Sequence, residues 1–210
     1  RPSYGNELTA AIESGAVSRR DVPAYVVRQM RRVVGPSFVD VWGAVESLSA
    51  DKAAAFAKYR ALLTDDALAK GNVQNGRAIY ERTCMVCHKL YGNGGEIGPD
   101  ITGSNRNNLD YLLQNIIDPN ADIPNDYRTT IVRLKDKRVL VGVIRQSEGQ
   151  SVTLATVAGS VTVAKSDVAA IEPQNFSMMP EGLVLAFKEG ELRDLVAYLR
   201  GTSQVPLPKE

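Results

Sequence analysis

Two cysteines and one histidine are all the thiols and imidazoles of the 210-residue chain, and they fall within five residues, Cys84-Met85-Val86-Cys87-His88. Cysteines three apart at a helix end project to one side, one turn apart. That spacing lets both sulfurs form thioethers to the two vinyl groups of one haem, while the adjacent His88 turns under the macrocycle and offers the iron a nitrogen. Competing chemistries lack parts. No Cys or His is left for a disulfide framework or to complete a zinc site. A thioredoxin-type pair needs a βαβ context, which is absent. Hydrolases with a Cys-His or Ser-His-Asp arrangement draw nucleophile and base from separate elements, whereas Cys87 and His88 are neighbours.

Haem iron takes a sixth partner or leaves the position open. With no second His, the candidates are Met, Lys, Tyr, water or vacancy. Met85 is confined inside the attachment segment and Met30 sits at core spacing in an upstream helix, which leaves Met178 and Met179 in Ser177-Met178-Met179-Pro180. Met179 lies 91 residues after His88, and 46 once the strand-rich stretch 127–171 is set aside, a natural span between the two faces of a haem. The following Pro180 stiffens the loop and favours Met179 over Met178; the competing reading is that both are core packing. An axial thioether raises the reduction potential relative to two histidines and suits a carrier of single electrons.

The elements that must position these residues are largely helical. Val22, Val26, Met30, Val33 and Val34 form one stripe that stops at Gly35-Pro36. A second runs Phe38, Val41, Trp42, Val45, Leu48 with Pro36 in its first turn, and Ser49 caps a third carrying Ala53, Phe56, Ala57 and Leu63. A helix from Asn72 with Gly76, Ile79 and Tyr80 on one side leads into Cys84; Gly92 to Asn108 is loop. Leu109–Ile117 and Glu189–Leu199 read as helices, the second closed by Gly201. Between Tyr127 and Ile171 the period changes to two, with Asp136-Lys137, Glu148-Gly149 and Ala158-Gly159 as turns, and predicts an antiparallel meander of about four strands. The expected organisation is an N-terminal helical segment over 1–70, the end of a helical repeat array in character, a haem domain over 71–205 interrupted by a sheet at 127–171, and a tail over 206–210.

Charge excludes some classes. Lys and Arg number 25 against 24 Asp and Glu, so nothing argues for nucleic acid. The balance is uneven along the chain: residues 1–70 net +2, residues 127–171 net +4 and the remainder −5. A basic sheet beside an acidic helical part either packs or is solvated, or steers a charged partner. No apolar run approaches the roughly 18 residues of a membrane span. The chain opens on Arg1 without a charged and then apolar leader, as expected of a mature or excised piece.

Gly76-Arg-Ala-Ile-Tyr80, four residues before Cys84, together with Leu195-Val-Ala-Tyr-Leu199, resembles the crossed terminal helices of class I cytochromes c. Gly98-Pro99-Asp100 is similar to the loop of that family whose Pro carbonyl accepts the proximal histidine's hydrogen bond, which implies that role for Pro99. Asp110–Ala121, Asp136–Gly142 and Met179–Leu183 further resemble the haem-binding domain of planctomycete and verrucomicrobial type, found at the C-terminus of large dehydrogenase-like multidomain proteins. The fold class implied is mainly α: a class I cytochrome c-like helical domain with an inserted small antiparallel sheet. The resemblance implies one haem c, an axial Met179, and completion outside the cytoplasm, in the periplasm or its equivalent.

The expected function is electron transfer and not enzymatic catalysis. The partner would be a redox protein or fused dehydrogenase domain, with haem c attached through Cys84 and Cys87 and ligated by His88 and Met179. The competing class is a haem that binds CO or NO through a weak sixth ligand, with Tyr127, Asn105 or Arg106 as distal donor; a peroxidase lacks a distal base.

Overall fold

The computed structural model describes residues 2–19, 22, 24–43 and 50–209, and Thr64, Asn72 and Asn108 start three of its helices by side-chain capping. Two compact units form, Arg1–Ala54 and Ala55–Glu210.

The first unit holds α1 (Pro2–Glu13), α2 (Ala24–Val33) and α3 (Pro36–Trp42), which begins with Pro at its first turn. Ile12, Val27, Met30 and Phe38 are its buried core, flanked by Val22, Val26, Val34, Val41 and Trp42. The α2 stripe therefore runs through Val26, Val27, Met30 and Val34. Val33, expected inside, is exposed. Phe38 stacks on Trp42 at 5.7 Å, and the Arg19 guanidinium covers the indole while bonding to the Val41 and Trp42 carbonyls at the end of α3. Val45, Leu48 and the expected cap Ser49 lie outside the described residues.

α4 (Ala50–Leu62) enters the second unit, where it and α5 (Asp65–Ala69) lead to α6 (Val73–Thr83). The division between the two units falls within α4. From α4 onward Phe56, Tyr59, Leu63 and Leu68 join the core, while Ala53 and Ala57 are exposed. Asn72 Oδ1 accepts the amides of Gln74 and Asn75 at 3.1 Å and starts α6. α8 (Glu189–Leu199) lies against α6, and α7 (Leu109–Ile117), capped by Asn108, joins the same core. Ile79, Tyr80, Leu113, Leu192, Leu195, Val196, Tyr198 and Leu199 pack between them. At the crossing of α6 and α8 a Cβ on Gly76 would sit 2.0 Å from the Asp194 carbonyl oxygen, so only glycine permits this approach. Asp194 is buried, and its carboxylate accepts the Asn72 amide at 2.9 Å and Asn75 Nδ2 at 2.8 Å, a negative charge at the start of α6. Gly201 follows the Arg200 cap of α8 without a left-handed backbone, so the expected glycine cap is not formed there.

A two-residue hairpin, β1 (Lys89–Leu90) and β2 (Asn93–Gly94), turns through Tyr91 and Gly92, both left-handed. The larger sheet contains β3 (Thr130–Leu134), β4 (Val139–Gln146), β5 (Ser151–Thr156), β6 (Gly159–Ala164) and β7 (Val168–Pro173), in the order β6-β5-β4-β3-β7 and antiparallel throughout. The meander thus has five strands instead of about four, and runs to 173: β7 returns to pair with β3, from Leu134↔Val168 to Thr130↔Pro173. Pro173 is tolerated because β7 is an edge. One face buries Val132, Leu134, Val152 and Leu154; on the other, Val143 and Ala155 pack with Ile97. With a sheet of this size beside the helices, a mainly α description is too narrow.

Candidate functional site

The attachment segment is built onto the end of α6. Cys84 is its C-cap, with its amide donating to the Tyr80 carbonyl at 2.8 Å, and the chain continues for one more turn: the amides of Cys87 and His88 donate to the Cys84 carbonyl at 3.1 and 2.9 Å. Both cysteines are free, partly buried thiols. Cys84 packs on the helical core and Cys87 on the cluster of Ile97, Val143 and Ala155, so the segment lies between helices and sheet. Burial pushes both thiols above their ordinary range.

His88 is held from its far side. Its Nδ1 lies 3.0 Å from the Pro99 carbonyl oxygen, so Nδ1 carries the proton and donates. Among the described residues nothing hydrogen-bonds Nε2. Burial, the larger influence, lowers the imidazole's pKa and the Pro99 bond opposes it, which keeps the ring neutral as a metal ligand requires. Gly98 makes room: a Cβ there would sit 2.6–3.1 Å from the ring atoms of His88. The Gly98 amide donates to the Cys87 carbonyl at 2.8 Å, which ties the loop to the attachment turn.

Several supports escaped sequence reasoning. The buried Tyr80 hydroxyl donates to the His88 carbonyl at 2.6 Å, and burial raises its pKa so that it stays a donor. Arg106, read as a distal donor for a gas-binding haem, is instead buried at the C-terminus of α8: it donates to the carbonyls of Ile101, Thr102, Leu199 and Gly201 and covers the Tyr91 ring. Tyr127, a second such candidate, lies under the Arg145 guanidinium. No local signal announces the bonds of Arg106 to Leu199 and Gly201 or the Arg145–Tyr127 pairing, because these partners are distant in sequence.

Met178 and Met179 are both partly buried and differ in surroundings. Met178 packs against the Ile97–Val143–Ala155 cluster beside Cys87, whereas the Met179 amide donates to Ser177 Oγ at 3.0 Å. Asn120, just beyond α7, fixes this loop at both ends: its Oδ1 accepts the Ser177 amide at 2.7 Å and its Nδ2 donates to Glu181 at 2.7 Å.

Two thiols on one turn and a neutral imidazole with an unengaged Nε2 fit a haem held by thioethers and one axial nitrogen. Among the described residues no group of three or more His, Cys, Asp or Glu could hold a metal ion by itself, and no helix is long and apolar enough to cross a membrane. No curated protein matches the chain. Residues 71–132, from the start of α6 into β3 and so including Cys84–His88 and Pro99, match the family model of cbb3-type cytochrome c oxidase subunit III. The match supports a cytochrome c-like haem domain, and such a domain implies a covalently bound haem c.

Proposed function

We propose that the chain is a c-type electron carrier: one haem c attached through Cys84 and Cys87, ligated by His88 and Met179, moving single electrons from a dehydrogenase module to a downstream acceptor outside the cytoplasm. The observation that carries this reading is the His88 arrangement, with Nδ1 bonded to Pro99 and Nε2 unengaged on the same turn as both thiols. When bound, the haem supplies a one-electron iron couple. The chain's own task is to hold and insulate. Pro99 fixes the His88 tautomer and raises its basicity as a donor. Tyr80 and Gly98 hold the turn and its loop at the required approach. Met179 is chosen as the sixth ligand because Met178 is already used in packing against the sheet, and Asn120 pins the loop that presents its neighbour. Nothing in this task needs a side chain to act as acid or base. Of the residues that could have served a bound gas molecule, Arg106 and Tyr127 are committed elsewhere.

The test is the visible spectrum of the purified protein, ferric and dithionite-reduced, with and without CO. Electron transfer predicts a low-spin haem in both states, no response to CO, and a sulfur-to-iron charge-transfer band that disappears in Met179→Ala. A high-spin ferrous haem that binds CO would replace this reading with gas binding and return Met179 to packing.

A further inference from the structure

Arg145 joins the sheet to the loop that holds His88. Pairing of β4 with β5 is regular at Val143↔Ala155 and Ile144↔Leu154, then resumes at Gln146↔Thr153, so Arg145 is the extra residue of a β-bulge. A bulge bends its strand and re-aims the unpaired side chain, and such features concentrate beside functional sites. Here the re-aimed guanidinium donates through Nη2 to the carbonyls of Glu96 and of Ile97, the latter at 3.0 Å, and through Nη1 to the Asp126 carbonyl at 3.4 Å. Its carbon lies 4.7 Å from the centre of the Tyr127 ring. Its Nε is buried without a partner, so the two loop carbonyls and the ring, not full satisfaction of its donors, set its place. Two residues earlier on β4, the buried Val143 packs against Ile97 itself. The segment Glu96–Ile97 is thus gripped from the sheet by a polar and an apolar contact, and the next two residues are Gly98, under the imidazole, and Pro99, whose carbonyl holds Nδ1.

We infer that Arg145 is a positioning residue for the axial histidine, through which the inserted sheet sets the strength of the His88–Pro99 hydrogen bond and hence the reduction potential. This rests on the haem reading above. A well-aligned bond to Nδ1–H makes the imidazole a stronger donor and favours ferric iron; a slackened one lowers the donor strength and raises the potential. Lysine cannot replace the residue fully, because a single ammonium cannot stack on Tyr127 while forking to two carbonyls.

The experiment compares haem-loaded wild type with Arg145→Met, Arg145→Lys and, as a control on the same sheet, Arg133→Met, whose guanidinium pairs with Glu172 at the surface. Haem content is measured first, then the reduction potential and the exchange rate of the Gly98 amide, which does not depend on haem. Arg145→Met is expected to raise the potential and speed Gly98 exchange at least tenfold, Arg145→Lys to fall between, and Arg133→Met to match wild type. Should Arg145→Met fail to fold, Tyr127→Leu removes only the ring and is expected to move both readouts the same way by less. An unshifted potential in haem-loaded Arg145→Met, even with lowered stability, overturns the inference and makes Arg145 a simple staple. A wild-type protein without covalent haem would instead overturn the reading beneath it.

Discussion

Substituting Gly76 by alanine tests whether the contact between α6 and α8 is as tight as the geometry requires. The added Cβ would lie 2.0 Å from the Asp194 carbonyl oxygen and 2.7 Å from Tyr198 Cβ, against ordinary contacts beginning at 3.4 Å. The obstacle is helix backbone, which cannot rotate away, so the helices must part by more than ~1 Å. A gap of that size forfeits about half or more of each interatomic attraction across it, and overpacking of this kind costs about 1–3 kcal/mol. Parting also stretches the bonds of the buried Asp194 carboxylate to Asn72 and Asn75, worth about 1 kcal/mol more. Alanine returns about 1 kcal/mol through helix propensity. The net expectation is a loss of about 1–3 kcal/mol, or roughly 5- to 150-fold in the protection of core amides. Hydrogen exchange at Leu195 and Val196 reads this unit without interference from the first. Gly190→Ala is the control: it lies in the first turn of α8 with only Arg193 Nη2 near its Cβ, at 3.9 Å, and is expected to stabilise by up to about 1 kcal/mol. If Gly76→Ala behaves like Gly190→Ala, the crossing argument is wrong.

Arg106→Met should cost about 3 kcal/mol in urea unfolding, because it removes a buried guanidinium that bonds the Leu199 and Gly201 carbonyls at the end of α8 to those of Ile101 and Thr102, and Arg106→Lys should recover only part of it. Met178→Ala should lower stability by about 1–2 kcal/mol through lost packing on Ile97 and Val143 while leaving the visible spectrum unchanged, the reverse of Met179→Ala. Glu191 gives a pH dependence. The Lys188 amide and then Arg82 hold its carboxyl below its usual value of 4.5, so its contribution is complete above about pH 4.5 and is lost as pH falls through the depressed value. The stability gap between wild type and Glu191→Gln should therefore close on acidification, and a gap that widened would contradict that assignment.

Legibility in the sequence followed the range of the contacts. The bounds of α7 and α8 and the start of α6 were readable because Asn72 and Asn108 cap locally and the apolar stripes are strong. Elsewhere the phase of a stripe was ambiguous: in α2 both Val27 and Val33 fit a helical face, and only packing chose Val27. The fifth strand was missed because Val168–Pro173 pairs with β3 across more than thirty residues and leaves Ile171 exposed, so its alternation is weak. At the proposed site, Cys84, Cys87 and His88 stand out by type and spacing, and the Pro99 contact with His88 was expected by resemblance. The roles of Tyr80, Arg106, Asn120 and Arg145 depend on carbonyls or side chains brought close by the fold, and a bulge such as that at Arg145 leaves no mark in composition.

The central claim is a haem bonded to Cys84 and Cys87. Mass spectrometry of the peptide spanning Thr83–Lys89, from protein matured outside the cytoplasm and extracted with acid acetone, addresses it directly. One haem retained on that peptide, with neither thiol open to alkylation, is the predicted result; a peptide carrying two alkylatable thiols and no haem would contradict the account.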